Sequence, residues 1–347
     1  MPVRDLLIVG GGPSGLSAAI AAKGHGLDYQ VVEQGVLVNS IFRFPPQMVF
    51  FTTPELLEIG GIPFVSPYDK PTRHEALIYY RKVVDKFDLQ IAFDEKVVAI
   101  DRAGEAGQAG RDEDDETVFA IETVTGRGVR RVREARTVIL AIGYYDHPNM
   151  INVPGEDLPH VHHFYGEAHP YYRQRVVIVG GGNSAAESAL EMFRAGVHVT
   201  VVHRAAALKN TIKYWVRPDI ENRIKEGSIA ARFERCVKEI KPRSIVVVGA
   251  PGATDRARVV EEEIPADAVF LLTGYRADSK LMCRAGITLN DRDAPTFDPE
   301  TFETNVPNLF VAGGAIAGKD TGTIFIENGR FHGEKIVDVI AARLSDR

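Results

Sequence analysis

Apolar positions fall in short unbroken runs, separated by glycine-rich turns and by helical stretches of small or amphipathic character. This alternation predicts buried parallel strands with helices laid against them. Residues 5–9 (DLLIV) form a run of strand length, followed by GGGPSG and then by LSAAIAAKGHG, whose small residues suit a closely packed helix. Residues 175–179 (RVVIV) repeat the plan through GGGNSA into ESALEMFRAG. Each helix ends near a glycine and leads to another buried strand, within YQVVEQ and HVTVVHR. The chain thus opens a strand–helix–strand unit twice.

The segment 97–143 has a different texture, with strand-like runs VVAID, VFAIETVT and TVILAIG set between turn residues. Within it, residues 103–117 (AGEAGQAGRDEDDET) are small and acidic, which predicts an exposed, mobile loop. Residues 73–87 space their apolar positions as a helix does, and IVVVG and AVFLLTG (ending at Gly274) read as buried strands after the second unit. Near the end, LFVAG (309–313) leads through AIAGKDTGT into a predicted helix over 324–343. The second unit already has its own strands, so this last strand and helix are expected to return to the first. The expected architecture is α/β: two Rossmann-like (three-layer ββα) dinucleotide-binding domains, one inserted into the other. The outer domain takes residues 1–158 and 281–347, and the inserted domain takes 159–280.

Composition narrows the class. A length of 347 residues allows two or three domains, and 45% apolar with 25% charged residues fits a compact globular protein. The net charge of −6, with no basic runs, argues against a nucleic-acid partner. The start MPVRDLLIVGGG has no long apolar core, and no stretch reaches the ~18 apolar residues of a membrane span, so neither export nor a membrane location is expected. Two cysteines occur, Cys236 in a strand-like run and Cys283 in a predicted loop, and their spacing fits neither a Cys-x-x-Cys redox pair nor a zinc knuckle. Both read as small structural hydrophobes in a reducing cytoplasm.

The two glycine turns carry the candidate chemistry. In Gly10-x-Gly12-x-x-Gly15 the first glycine makes a tight turn, the second lets a pyrophosphate approach the backbone, and the third packs helix on sheet. Pro13 and Ser14 complete that turn, and Glu33 ends the next strand, where an acid accepts a hydrogen bond from a ribose hydroxyl. The second turn, Gly180-x-Gly182-x-x-Ala185 with Asn183 and Ser184, is followed by a strand ending in His203 and Arg204 instead of an acid. An imidazole and a guanidinium suit a 2′-phosphate, which favours NADPH over NADH, with Lys209 and Lys213 as further phosphate partners. Two dinucleotide sites of different preference imply a relay between two redox cofactors, and FAD fits the first site because it carries its own adenosine diphosphate. The predicted helix start at Thr323 and Ile324 would aim its positive end at a reduced flavin.

Other groupings say less. Phe164-x-Gly166-x-x-His169 approaches a flavin-monooxygenase fingerprint with the histidine one place early. His160, His162, His163 and His169 cluster without an acidic or cysteine partner, so no metal site is expected.

The order of FAD fingerprint, NADPH insert and C-terminal flavin segment resembles the thioredoxin-reductase-like flavoproteins. Within that group four blocks, NSIFRFPPQMVFFTTPELLEIGGIPF, KPTRHEALIYY, HFYGEAHPYY and FIENGRFHG, are similar to the bacillithiol disulfide reductases. The resemblance implies FAD, NADPH, a low-molecular-weight thiol disulfide as substrate, and a homo-oligomeric cytosolic enzyme. It also implies FAD contacts at Gln34, Asn39, Met48, Val98, Gly143, Gly313 and Gly314, and an NADPH contact at Gly274. Three departures matter. The Cys-x-x-Cys of thioredoxin reductases is missing, which excludes a dithiol relay. Ser14 stands where many bacillithiol-reductase-like proteins have cysteine, and serine cannot form a mixed disulfide. Gly313-Gly314 replaces the Gly-Asp of general two-dinucleotide flavoproteins, so the ribityl contact is expected to fall to backbone or water. Ser14 is the one candidate catalytic side chain; the chemistry is otherwise expected to be borne by the flavin. The leading function is NADPH-dependent reduction of a bacillithiol-type disulfide. A ferredoxin or flavodoxin–NADP reductase, passing electrons to a small protein, is the alternative.

Overall fold

The computed structural model describes residues 3–102, 118–253 and 261–345. The predicted loop at 103–117 lies outside the described residues. Two compact units divide the chain. The outer unit comprises Met1–Arg43, Gln47–His147 and Tyr275–Arg347, and the inner unit comprises Phe44–Pro46 and Pro148–Gly274. The inner unit therefore begins and ends earlier than the expected 159 and 280. At its start, Ile151, Val153 and Leu158 pack onto an apolar cluster of the inner unit, and the Ile240 amide donates to the Pro154 carbonyl at 2.8 Å. Past its end, Ala277, Leu281 and Met282 join the core of the outer unit.

The outer unit is built on a seven-stranded sheet. Its order is Ile91–Ala92, Tyr29–Val32, Arg4–Val9, Arg130–Leu140, Phe119–Thr125 and Glu95–Arg102, with Leu309–Val311 also paired to Arg130–Leu140. The long strand Arg130–Leu140 serves two architectures. Its first half pairs antiparallel with Phe119–Thr125, and its second half lies between Arg4–Val9 and Leu309–Val311, both parallel to it. Burial follows that division: residues 130–132 are exposed, and Val138, Ile139 and Leu140 are fully buried. The sequence reading began this strand at Thr137, because RRVREAR lacks the apolar density of a two-sided buried strand. That half is exposed at 130–132 and only partly buried at Arg133 and Glu134, so polar residues suffice.

Helix Pro13–Gly24 starts with proline in its first turn, where the missing N–H costs nothing. It packs along the C-terminal helix His332–Ser345, where Gly333 is required: a Cβ there would stand 2.4 Å from the Ala18 nitrogen. The helix expected over 324–343 is in fact two, Ile326–Gly329 and His332–Ser345. Helix Arg73–Phe87 is closed by a capping box between Thr72 and Glu75 and ends at Asp88 in the left-handed conformation, φ 44°. Its Tyr79 and Tyr80 hydroxyls donate to the carbonyls of Ile62 and Leu57 at 2.8 and 3.0 Å, tying the preceding irregular segment to the helix.

The inner unit has a five-stranded parallel sheet in the order Ala230–Arg232, His198–Val202, Arg175–Val179, Ala268–Leu271 and Val161–His162. Helix Asn183–Arg194 covers one face, and the antiparallel strands Arg235–Lys241, Ser244–Gly249 and Glu262–Pro265 form a second sheet whose apolar residues share a cluster with Val177, Val269 and Leu271. Each unit is thus a three-layer α/β domain of Rossmann type. No helix among the described residues is long and apolar enough to cross a membrane.

One buried charge holds the antiparallel part of the outer sheet. The Glu95 side chain is 1% exposed and accepts two hydrogen bonds from Arg133, at 2.7 and 2.8 Å, and one from Thr123 at 2.6 Å. The Arg133 fork and the Thr123 hydroxyl hold its carboxyl below the usual value. The stabilisation is therefore complete above the ordinary carboxylate range and is lost as pH falls through the lowered pKa. Glu95→Ala leaves Arg133 buried without its partner and is expected to cost about 3 kcal/mol, read as a lowered midpoint in urea unfolding of the purified protein.

Candidate active site

In the outer unit three parallel strands end together. Beyond Arg4–Val9 comes Gly10, beyond Arg130–Leu140 comes Gly143, and beyond Leu309–Val311 comes Gly313. Gly10 has φ +112°, and a Cβ on it would lie 2.4 Å from the Ala141 carbonyl oxygen. Gly15 is equally constrained, since a Cβ would lie 2.0 Å from the Gly10 carbonyl oxygen. Gly12 differs from both: nothing stands within 4 Å of the position its Cβ would take. Two glycines are needed for protein packing, and the middle one faces open space at the start of helix Pro13–Gly24. That is the arrangement a pyrophosphate requires, with backbone N–H groups and the positive helix end turned outward.

Glu33 sits beneath this turn, 5% exposed. Gly11 N–H donates to Oε2 at 2.7 Å and Gly35 N–H to Oε1 at 2.9 Å. A carboxylate offers about four lone-pair sites, so each oxygen keeps one for a ribose hydroxyl. Burial pushes the Glu33 carboxyl above its usual value, and the two N–H donors pull against that. Gln34 Nε2 donates to Asp146 at 2.7 Å, and Asp146 also pairs with Arg43. Asn39 opens the short helix Asn39–Arg43, with its Oδ1 2.5 Å from where a Gly35 Cβ would stand.

At two further expected positions the backbone carbonyl is engaged by another part of the protein. The Met48 carbonyl accepts from Arg73 N–H at 2.9 Å, and the Val98 carbonyl, at a register shift in its strand, accepts from Arg284 at 3.3 Å. Thr323 and Ile324 do not begin a long helix: Thr323 lies in a turn, its carbonyl accepting from Asn328 Nδ2 at 3.0 Å, and the helix that follows has four residues. The helix start expected at Thr323 and Ile324 is therefore displaced to Ile326. Ser14 Oγ donates to the Gly329 carbonyl at 2.9 Å and lies 2.3 Å from where a Cβ on Gly313 would be. The Ser14 side chain and the backbones of Gly313 and Gly329 thus form one close contact.

The inner unit reproduces the turn with different chemistry. A Cβ on Gly180 would meet the Leu272 carbonyl oxygen at 2.5 Å and the Ala185 Cβ at 3.1 Å, so alanine suffices at the third place of this fingerprint. Beside Gly182 the nearest group is the Lys209 stem, at 3.9 Å. Asn183 fastens the following loop to the helix: Lys213 N–H donates to its Oδ1 at 2.8 Å, and its Nδ2 donates to the Thr211 carbonyl at 3.1 Å. Ser184 is exposed in the first turn of that helix. Gly274 has φ +98°, and its carbonyl accepts from Asn149 N–H at 2.9 Å.

His203 is buried, its imidazole so close beneath the turn that a Cβ on Gly181 would come within 2.4 Å. Burial first, then the charges of Lys209 and Arg204, hold its pKa below the usual value. The ring of this expected phosphate partner is thus packed under Gly181, where burial works against its protonated form. Arg204 next to it is exposed and has no ion pair with another described residue. Lys213, a further expected phosphate partner, is instead buried against Glu187 at 2.9 Å.

No group of three or more metal-ligating side chains occurs among the described residues. Cys236 is half-buried and Cys283 is exposed, on helix Ser279–Arg284 and not in a loop, so neither is the buried hydrophobe the sequence suggested.

These two turns and their sheets define a two-dinucleotide redox protein. The family model described as pyridine nucleotide-disulphide oxidoreductase matches residues 7–313. Bacilliredoxin reductase Bdr of Bacillus subtilis (strain 168) is 39% identical over 97% of each chain. The solved structure of bacillithiol disulfide reductase Bdr from Bacillus cereus superposes with a TM-score of 0.90 at 36% identity, over 99% of this chain and 100% of that one. A ferredoxin–NADP reductase of Ignicoccus hospitalis is more distant, 24% identical over 90% of each chain. The chain belongs to the pyridine nucleotide-disulphide oxidoreductase family. It is a flavin oxidoreductase acting on disulfides, with FAD and NADPH as its cofactors.

His332 is a group the sequence did not single out. Its Nδ1 accepts from Gly313 N–H at 3.1 Å, and its ring stacks on Phe302 with centroids 4.4 Å apart. Burial, helped by the Lys335 charge, lowers its pKa to about 4. An unfolded histidine takes up its proton near 6.5, so the contribution of His332 to stability is complete above that value and drains away between it and about 4. The His332 ring protons are expected to titrate near pH 4 in NMR spectra, and a midpoint near the ordinary value would contradict the Gly313 contact.

Proposed function

We propose that the chain carries electrons from NADPH to the disulfide of a low-molecular-weight thiol of the bacillithiol type. The relatives named for bacillithiol disulfide reductase and bacilliredoxin reductase support this substrate class. In this reading Gly12 and the first turn of helix Pro13–Gly24 hold the FAD pyrophosphate, and Glu33 accepts from its ribose. The open space before Gly12 and the free lone pairs of Glu33 fit that group. Gly182 and helix Asn183–Arg194 hold the NADPH pyrophosphate in the same way. Arg204 and Lys209 take the 2′-phosphate, because His203 is neutral and Lys213 is committed to Glu187. Bound FAD supplies a two-electron relay between nicotinamide and disulfide.

The single observation that carries this reading is the contrast between the two turns. One buries an acid beneath its second position, and the other buries a neutral imidazole with an exposed guanidinium beside it. A carboxylate would repel a phosphate, and a guanidinium binds one through two hydrogen bonds. In balance, NADPH and one proton convert the disulfide into two thiols and NADP+. The chain has no Cys-x-x-Cys for a dithiol relay, and Ser14, engaged with Gly329, is assigned to packing and not to covalent chemistry. The two free cysteines fit a reducing cytoplasm, where we place the protein as a homo-oligomer.

Purified protein is expected to be yellow and to bleach anaerobically much faster with NADPH than with NADH. An acceptor screen then decides the substrate: bacillithiol disulfide reoxidises the reduced protein, whereas faster reoxidation by a ferredoxin or flavodoxin would overturn the assignment. Arg204→Ala is expected to raise the KM for NADPH about tenfold or more, leave that for NADH nearly unchanged, and alter kcat little, since the lost contact is uniform binding.

A further inference from the structure

Gly314 is glycine for a reason unlike that of its neighbours. Gly10, Gly143 and Gly313 have positive φ values of 112°, 62° and 62°, which a side chain would strain. Gly314 has no such backbone requirement, and its space is closed by one side chain. A Cβ there would lie 2.7 Å from Cδ1 and 2.9 Å from Cε1 of Tyr144. Tyr144 follows Gly143 at the end of strand Arg130–Leu140, so its ring stands at the carboxyl ends of the parallel strands, where α/β sheets bind their ligands. Its hydroxyl makes no hydrogen bond to a described residue, whereas Tyr79 and Tyr80 of the same unit both donate to carbonyls. Tyr144 thus combines a wedged ring with an unused donor.

We propose that Tyr144 is a cofactor-positioning residue: its ring takes the place of a side chain at 314, and its hydroxyl supplies the polar contact to the ribityl chain of FAD. That contact had been expected from backbone or water. The proposal rests on the FAD reading of the outer turn. Burial, reinforced by the negative charge of Glu327, keeps the phenol protonated, so it remains a donor throughout the working pH range. A neutral donor thereby replaces the anionic acceptor that Gly-Asp offers in general two-dinucleotide flavoproteins. The glycine at 314 and the tyrosine at 144 form a coupled exchange, and neither side chain can be enlarged while the other keeps its place.

The test is equilibrium binding of FAD to deflavinated protein, followed by quenching of flavin fluorescence, together with the visible spectrum of the reconstituted protein. Tyr144→Phe keeps the ring and removes only the donor. It is expected to weaken FAD binding about fivefold to tenfold, as loss of one hydrogen bond does, and to shift the flavin absorption bands. Gly314→Ala, which displaces the ring, is expected to weaken binding at least as much. In the double variant Tyr144→Ala/Gly314→Asp the acid has room, and FAD affinity lost in Tyr144→Ala is expected to return. Tyr144→Phe binding FAD as tightly as the unmodified protein with the same spectrum would overturn the proposal, as would a double variant no better than Tyr144→Ala. Failure of the unmodified protein to bind FAD would instead overturn the reading of the outer turn itself.

Discussion

The outer unit depends on how closely the backbone can approach itself where its parallel strands end. Gly10 packs its Cα against the Ala141 carbonyl, and Gly15 packs against the Gly10 carbonyl. A single methyl at either position would meet a backbone oxygen that cannot move aside. This contact brings helix Pro13–Gly24 down onto the sheet with its first turn exposed, and it sets Gly11 directly over Glu33. The anion-binding turn and the acid beneath it are consequences of one close approach. The C-terminal helix reaches the same helix through Gly333, so both ends of the chain converge on one small-residue contact.

The inner unit uses the same backbone device around a different buried group. Gly180 packs against the Leu272 carbonyl as Gly10 does against Ala141, and His203 lies under Gly181 as Glu33 lies under Gly11. What changes is the electrostatic character of the buried group. A carboxylate that accepts backbone N–H groups stays available to hydroxyls, whereas a desolvated imidazole is neutral and fills space. In the proposed reading, charge selection falls to the exposed side chain next in sequence, Arg204. In that reading the fingerprint marks a dinucleotide turn, and the residue left exposed after the following strand sets its preference.

The sequence disclosed the parts whose physics is local. Buried parallel strands need uninterrupted apolar runs, tight turns need glycine, and DLLIV with GGGPSG and RVVIV with GGGNSA display both. The strand Arg130–Leu140 was legible only in its buried half, because its exposed half tolerates arginines that apolar runs do not announce. The C-terminal helix was expected as one element over 324–343 and is two. It is interrupted where Gly329 approaches the Gly313 Cα, a contact between residues far apart in the chain.

By itself, then, the sequence determined that two dinucleotide turns exist, in what order they come, and that no Cys-x-x-Cys joins them. Each of these is written in adjacent residues. Only the folded chain decided that Ser14 is spent on Gly329, that Lys213 is spent on Glu187, that His203 is neutral, and that Tyr144 fills the space beside Gly314. Those outcomes turn on burial and on contacts across long stretches of chain. A side chain's charge state and free hydrogen-bonding capacity are properties of what surrounds it, and only packing supplies the surroundings.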